Sequence, residues 1–73
     1  MGRLAGFTYR EIARKLRKLG FGIYRECPGS HEQWIHTDVR RTMLVRQTKE
    51  IPEGKMRAIL RIGSIHVDDF LSA

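Results

Sequence analysis

The chain has 73 residues, a length that suits one small domain with a modest hydrophobic core and excludes a two-domain protein. Fourteen lysine and arginine residues against eight acidic residues give a net charge of +6, which favours a polyanionic partner, nucleic acid first and an anionic membrane surface second. The single cysteine excludes an intrachain disulfide, and the lack of both a signal-peptide core and an apolar run of about 18 residues predicts a soluble cytoplasmic protein.

The first predicted element is a helix over residues 9–19. Thr8 and Glu11 have the spacing of a capping box, in which two side chains satisfy amide groups at a helix start. Apolar residues then repeat every three or four positions: Tyr9, Ile12, Ala13, Leu16 and Leu19. Gly20 follows where a left-handed glycine commonly ends a helix. These signals predict an amphipathic helix that buries one face.

Three short strands are predicted next, over residues 21–26, 30–37 and 41–47. They are rich in aromatic and β-branched residues, and the first stops at Cys27-Pro28-Gly29-Ser30, a turn by composition. Connections this short allow only antiparallel hairpins, so we expect a three-stranded meander. The pattern leaves open which face of the second strand is buried.

Two helices are predicted towards the C-terminus. Pro52 suits the first turn of the longer one, which is expected to end at Gly63-Ser64. Gly54 in that turn is poor helix chemistry and suggests that something approaches the backbone closely. Residues 67–71 predict a short last helix. The order helix, three strands, helix predicts an α+β fold.

Cationic residues recur along the first predicted helix. Arg10, Arg14 and Arg17 stand at i, i+4 and i+7, and only Glu11 offers a countercharge within the helix. A run of this kind is often no more than a solvated face. Like charges at this spacing repel one another unless an anion relieves them, and Arg46 adds charge at the third strand. Cations on several elements suit contacts to a phosphate backbone.

The histidines do not form a known metal motif. His31 and His36 superficially match the histidines of zinc proteases, but those are four apart on a helix, whereas these are five apart in a predicted strand. An odd spacing in a strand places them on opposite faces. Neither a P-loop nor a G-x-G-x-x-G segment occurs. We therefore predict no metal and no nucleotide cofactor.

His31 has the setting of a reactive group. It follows Gly29-Ser30, where a glycine turn lets a ligand backbone approach the mouth of a hairpin. An imidazole suits general acid–base chemistry near neutral pH. RNA cleavage by its own 2′-hydroxyl needs only such a base and cations that stabilise the phosphorane. From these residues alone, an ordinary exposed polar histidine stays an alternative.

Several short segments between about Gly2 and Leu71 carry a family resemblance. They are Leu19-Gly20-Phe21, Gly29-Ser30-His31-Glu32, Arg40-Arg41, Lys49-Glu50-Ile51, Gly54, Arg57-Ala58-Ile59-Leu60 and Val67-Asp68-Asp69-Phe70. Together they resemble the HicA family of mRNA interferase toxins. The resemblance implies an α-β-β-β-α fold like that of double-stranded-RNA-binding domains, with a three-stranded antiparallel sheet and helices packed on one face. It also implies that residues 1–73 form a single HicA-like toxin domain.

The resemblance further implies an activity and a partner. HicA proteins cut mRNA without a metal and arrest translation, and a HicB antitoxin encoded beside them blocks the site. The family's catalytic histidine falls on His31, and Gly29 and Ser30 carry over as the turn that presents it. The family often has a second histidine at the end of the third strand, where this chain has Gln47.

The other two histidines and the tryptophan are not the leading candidates for the chemistry. We expect His36 to be a solvated strand residue, which would replace the missing second histidine only if a twist of the strand turned it towards the site. We expect Trp34 to pack in the core, although an exposed Trp34 would suit base stacking. His66 falls where the resemblance leads us to expect a helix-capping serine or threonine.

The leading hypothesis is a metal-independent endoribonuclease toxin with His31 as general acid or base. The residues expected to hold the RNA are Gly29, Ser30, Arg10, Arg14 and Arg46. A non-catalytic RNA-binding module of the same fold is the alternative, but its last helix usually starts with a lysine-rich run, and here that stretch offers only Lys55. A third reading, a small protein-binding adaptor, leaves the cationic stripes unexplained.

Overall fold

The structure, a computed structural model, describes residues 3–73, so the first two residues of the expected domain lie outside it. Its elements are α1 Tyr9–Lys18, β1 Phe21–Cys27, β2 His31–His36, β3 Arg41–Val45, α2 Glu53–Ile62 and α3 Val67–Ser72. The predicted order and the α+β class are confirmed. The observed boundaries differ from the predicted ones by one or two residues. For example, β3 ends at Val45, and Pro52 precedes α2 and does not lie in its first turn.

The start and end of α1 follow the predicted signals. The Thr8 hydroxyl accepts from the Glu11 amide, and a Glu11 carboxylate oxygen accepts from the Thr8 amide at 2.9 Å. This reciprocal pair lowers the pKa of Glu11, chiefly through the Thr8 backbone hydrogen bond. Gly20 has a φ of +97°, which a glycine adopts at little cost, so the chain can leave the helix and enter β1 at once.

The sheet is an antiparallel meander in the order β1-β2-β3, as predicted. In β2 and β3, Trp34 lies opposite Thr42 and His31 lies opposite Val45. Strand β1 carries a bulge at Tyr24, because Ile23 pairs with Trp34 while Arg25 pairs with the next residue, Gln33. The bulge shifts the register between the two halves of β1.

The core lies between one face of this sheet and the helices. Glu32, Trp34, Thr42 and Leu44 are buried on that face, which settles the orientation of β2. The helices cover them with apolar side chains: Ile12, Ala13 and Leu16 from α1, Met56, Ile59 and Leu60 from α2, and Phe70 from α3. The Thr42 hydroxyl donates to the Ile59 carbonyl at 2.6 Å and so ties α2 to β3.

The described chain does not supply the close approach expected at Gly54. A Cβ added to Gly54 would meet nothing within 4 Å, so an approach to its backbone by another molecule stays a prediction. Gly54 lies in open space in the first turn of the helix. Among residues 3–73 there is no helix whose length and apolar character would let it cross a membrane.

Candidate functional site

The turn between β1 and β2 presents His31. Pro28 and Gly29 have the composition of a type II turn, and Gly29 has the positive φ, +78°, that such a turn requires. Ser30 continues in the left-handed region with a φ of +62°. His31 then begins β2, between Cys27 of β1 and Val45 of β3. Gly29 and Ser30 therefore form the turn predicted from the sequence.

The His31 ring packs back over this turn. A Cβ on Gly29 would stand 3.2 Å from the ring Cδ2 and 3.6 Å from Nε2, so the glycine provides both the backbone angle and the space for the imidazole. His31 is half-buried, and its Nδ1 is a buried side-chain nitrogen without a hydrogen-bond partner in the described chain. Since Nδ1 is withdrawn from solvent, Nε2 is the nitrogen left to exchange a proton with a ligand.

An open groove adjoins His31, between the outer side of β2 and β3 and one flank of α2. Its volume is about 190 Å³. The lining residues are His31, Met43, Val45, Ile51, Lys55, Ala58, Ile59 and Ile62. Apart from His31 and Lys55, every side chain in this set is apolar. We call this space the His31 groove.

Arg46 is joined to the same turn by backbone and side chain. Its amide donates to the Ser30 carbonyl at 2.9 Å, which extends the hairpin beyond β3. Its Nε lies 3.7 Å from a carboxylate oxygen of Glu32, and about half of the Arg46 side chain is exposed. The backbone thus joins Arg46 to Ser30 beside His31, whereas the guanidinium lies with Glu32 on the face of the sheet that the helices cover.

Glu32 is a buried carboxylate that sequence reasoning did not single out. Only 2% of its side chain is exposed, and it accepts from the Tyr9 hydroxyl at 2.8 Å and the Trp34 indole N–H at 3.1 Å. Burial, and then the hydrogen bond and charge of Glu32, raise the pKa of Tyr9 to about 12. The alternation of β2 contained the signal, because Glu32 stands two residues from Trp34 and shares its face.

Arg10 and Arg14 lie apart from the His31 groove. Both are exposed on α1, where with Tyr9 and Arg17 they line a second cavity of about 380 Å³ that does not include His31. Within residues 3–73 neither guanidinium forms an ion pair, since Glu11 is engaged in the helix cap. The structure therefore separates two of the predicted contact residues from the proposed catalytic one.

His36 and Trp34 have structural roles. The His36 side chain is only 18% exposed, its Nδ1 accepts from the Asp38 amide at 3.1 Å, and its ring packs edge-on against Phe21. The expectation of a solvated residue is wrong, because this hydrogen bond and the aromatic contact hold the ring against the sheet. His31 and His36 do lie on opposite faces. Trp34 is fully buried, as expected, and the Arg17 guanidinium lies 5.1 Å from its ring.

His66 and Gln47 also serve local structure. His66 caps α3, its Nδ1 accepting from the Asp68 amide at 3.3 Å, which confirms the interpretation as a helix cap. The Gln47 amide donates to the carbonyl oxygens of Lys49 and Glu50 and orders the loop before α2. The described part of the chain groups no three His, Cys, Asp or Glu side chains that could hold a metal ion.

Comparison with known families gives one match. Residues 9–63, more than half of the chain, match the family model described as HicA toxin of bacterial toxin-antitoxin. No curated protein matches the chain. The matched range includes α1, the whole sheet and α2, and with them His31, the turn before it and all three predicted arginines.

Proposed function

Because the chain belongs to the HicA family of bacterial toxin–antitoxin toxins, we propose that it is an mRNA interferase, a metal-independent endoribonuclease that arrests translation. The observation that carries the proposal is the position of His31. The ring is half-exposed at an open groove, directly after a left-handed glycine turn, and is not sealed in the core.

In the proposed reaction His31 Nε2 removes the proton from a ribose 2′-hydroxyl. The 2′-oxygen then attacks the adjacent phosphorus, a new P–O2′ bond forms, and the P–O5′ bond breaks. The products are a 2′,3′-cyclic phosphate and a 5′-hydroxyl. The leaving 5′-oxygen takes its proton from water, since Gln47, in place of a second histidine, has no titrating group. This step needs no metal.

Lys55, which lines the His31 groove, stabilises the negative charge that builds up on the phosphorane. The Arg46 guanidinium lies by Glu32 on the other face of the sheet and holds a neighbouring phosphate. Gly29 and Ser30 allow the RNA backbone to approach, and Arg10 and Arg14 on α1 hold phosphates further along the strand. In this proposal the RNA passes round the end of the sheet, because α1 covers the face that holds Glu32 and Trp34, whereas His31 alternates to the other face.

We also propose a cytoplasmic location and a HicB-type antitoxin protein as partner. The support is membership of a toxin–antitoxin family, which requires an inhibitor, together with an mRNA substrate found in the cytoplasm. An antitoxin that covers the hairpin of His31 would block the proposed reaction directly.

The test is inducible expression of the wild type, His31→Ala and His66→Ser, scored for growth arrest and for RNA cleavage by purified protein in EDTA. We expect the wild type and His66→Ser to arrest growth and cleave RNA, because serine can cap α3 as His66 does. We expect His31→Ala to do neither. A harmless wild type that binds RNA and leaves it intact would instead identify a non-catalytic RNA-binding module. Full cleavage by His31→Ala would move the chemistry to another residue.

A further inference from the structure

We propose that the His31 groove is a nucleobase-binding subsite, which receives the base of the nucleotide whose 2′-hydroxyl faces His31. This inference rests on the proposed nuclease function and extends it from the phosphate and ribose to the base. No part of it depends on the arginines of α1, which line a different cavity.

The chemistry of the groove suits a flat, largely apolar group. Met43 remains 39% exposed and Ile62 55% exposed, so apolar surface is left in water that a ligand would cover. The volume, about 190 Å³, is below the roughly 300–1,000 Å³ of sites for drug-sized molecules. A space of this size admits one ring system and not a whole nucleotide.

The position of His31 selects the base as the occupant. A general base must approach the proton it removes to within about 2.6–3.2 Å between heavy atoms. A ribose held at that distance from the imidazole carries its base on the same sugar, and His31 is itself a wall of the groove. The base of that nucleotide is therefore the part of the RNA next to the apolar lining.

Charge complementarity favours a polynucleotide over an apolar protein segment. Among residues 3–73, Lys55 is the only lysine, arginine or acidic residue that lines the groove. An ammonium group there suits the phosphates on either side of the base or the carbonyl oxygen of a base, whereas an aliphatic peptide would leave it without a partner.

The lining also predicts weak discrimination among bases. Lys55 offers a donor, and beyond it and His31 the lining side chains offer only the weakly accepting sulfur of Met43 for reading base edges. Stacking and apolar contact tolerate any base. We therefore expect cleavage rates at A, C, G and U in this position to lie within about tenfold of one another.

The test combines a change in the groove with removal of one base. The substrate is a short single strand with one ribose among deoxyriboses, so that cleavage occurs at one place, and that ribose carries either a base or none. The protein variants are Ala58→Phe, which fills the groove, and Ile62→Ala, which removes exposed lining. Ile23→Ala is the matched control, an exposed isoleucine on β1 that does not line the groove.

For the wild type we expect loss of the base to lower kcat/KM by about tenfold to a hundredfold, mainly through KM. Ala58→Phe should lower kcat/KM for the intact strand by a similar factor, and loss of the base should not lower it further. Ile62→Ala should lower kcat/KM for the intact strand by a smaller factor and respond less than the wild type to loss of the base. Ile23→Ala should behave as the wild type with both strands. Removal of a base two nucleotides away should affect all proteins equally.

Equal cleavage of intact and abasic strands by the wild type would overturn the subsite while leaving the nuclease in place. A variant Ala58→Phe that cuts normally but escapes inhibition by the antitoxin would assign the groove to the protein partner and also overturn it. If the folded wild type cuts no RNA, the nuclease fails, and anisotropy with the same strands decides the subsite. If the wild type binds the intact strand more tightly than the abasic one and Ala58→Phe does not, the groove is a base site in a protein that does not cleave. Equal binding of the two strands by the wild type would overturn the proposal.

Discussion

The His31 imidazole packs against the α-carbon of Gly29, so closely that a Cβ there would stand 3.2 Å from the ring Cδ2. This distance is tighter than ordinary van der Waals contact, and the ring has no hydrogen bond at Nδ1 to hold it by other means. Packing on the glycine is therefore a main restraint on the direction of the imidazole. Gly29 acts as a positioning residue for His31.

The substitution Gly29→Ala should reduce cleavage more than its effect on stability explains. Alanine at a φ of +78° costs about 1–2 kcal/mol of unfolding free energy, and its methyl group would also displace the ring. The control is Gly6→Ala, where φ is +86° but a Cβ meets nothing within 4 Å. We expect urea denaturation to show a similar loss of unfolding free energy in both variants, and kcat to fall only in Gly29→Ala. Equal kcat values for the two variants would show that the contact with Gly29 does not position the His31 ring.

Replacement of His31 by leucine should abolish cleavage and stabilise the fold. Loss of a general base typically lowers the rate by about 10²–10⁴-fold. Leucine would also remove a buried nitrogen that has no partner, with an expected gain of about 1 kcal/mol in unfolding free energy. Rate assays and urea denaturation on the same preparations test both parts. A lower unfolding free energy in His31→Leu would indicate that the imidazole stabilises the fold, which would argue against a purely functional reason for this histidine.

Replacement of Glu32 by alanine should destabilise the protein strongly. The Tyr9 hydroxyl and the Trp34 indole N–H would lose their acceptor in a buried site, at a cost of about 3 kcal/mol. Glu50→Ala, at an exposed position, should change the unfolding free energy by less than about 0.5 kcal/mol. Urea denaturation measures the unfolding free energy of both variants. If the two substitutions lower it equally, the hydrogen bonds of Glu32 make no net contribution to stability.

Tyr9 should make stability depend on pH in the alkaline range. Its pKa is raised from 10.0 to about 12 in the folded protein, so the folded state holds the phenolic proton more tightly than the unfolded state. The resulting stabilisation is complete below pH 10 and is lost as the pH rises to about 12. Phenolate absorbance should show a step near pH 12 that is missing in Tyr9→Phe. A step that is unchanged in Tyr9→Phe would mean that another group titrates there.

The arginines of α1 should contribute to the salt dependence of RNA binding. If Arg10 and Arg14 contact phosphates, each substitution by alanine lowers the slope of log K against log salt by about 0.7 for a single strand. The control is Arg57→Ala, because the Arg57 guanidinium already pairs with Glu53 at 3.0 Å. Binding titrations at several salt concentrations give the slopes. If the Arg10 and Arg14 variants have the same slope as the Arg57→Ala control, α1 lies outside the RNA interface.

Local signals were enough to predict most of the fold. The capping box at Thr8 and Glu11 and the glycine at position 20 depend on neighbours within a few residues, and the structure confirms them. No part of the described chain approaches Gly54, and composition alone does not distinguish a glycine that another molecule approaches from one in open space. The face of β2 required tertiary information, since its apolar residues Trp34 and Ile35 are adjacent in the sequence and point to opposite faces.

The site was predictable only in part. The turn at Gly29 and Ser30 was predicted from the sequence, and β2 begins at His31, one residue later than predicted. The chemical role of His31 is a proposal. The His31 groove was not foreseen, because Met43 and Ile62 come from elements that are distant in the chain. The contact of Glu32 with Tyr9 likewise joins residues that are 23 positions apart.

The bulge at Tyr24 adds one residue to β1 beyond the number that a regular ladder with β2 needs. Phe21 and Cys27 are an even number of residues apart, yet Phe21 faces the core while Cys27 lies beside His31, because the extra residue reverses the alternation between them. Surface hairpins usually absorb insertions and deletions. Here deletion of Tyr24 itself would leave residues 21–23 and 25–27 in a regular ladder with β2, in which Phe21 and Cys27 keep the faces that they have now, so protein engineering can shorten this hairpin by one residue at that position without inverting either end.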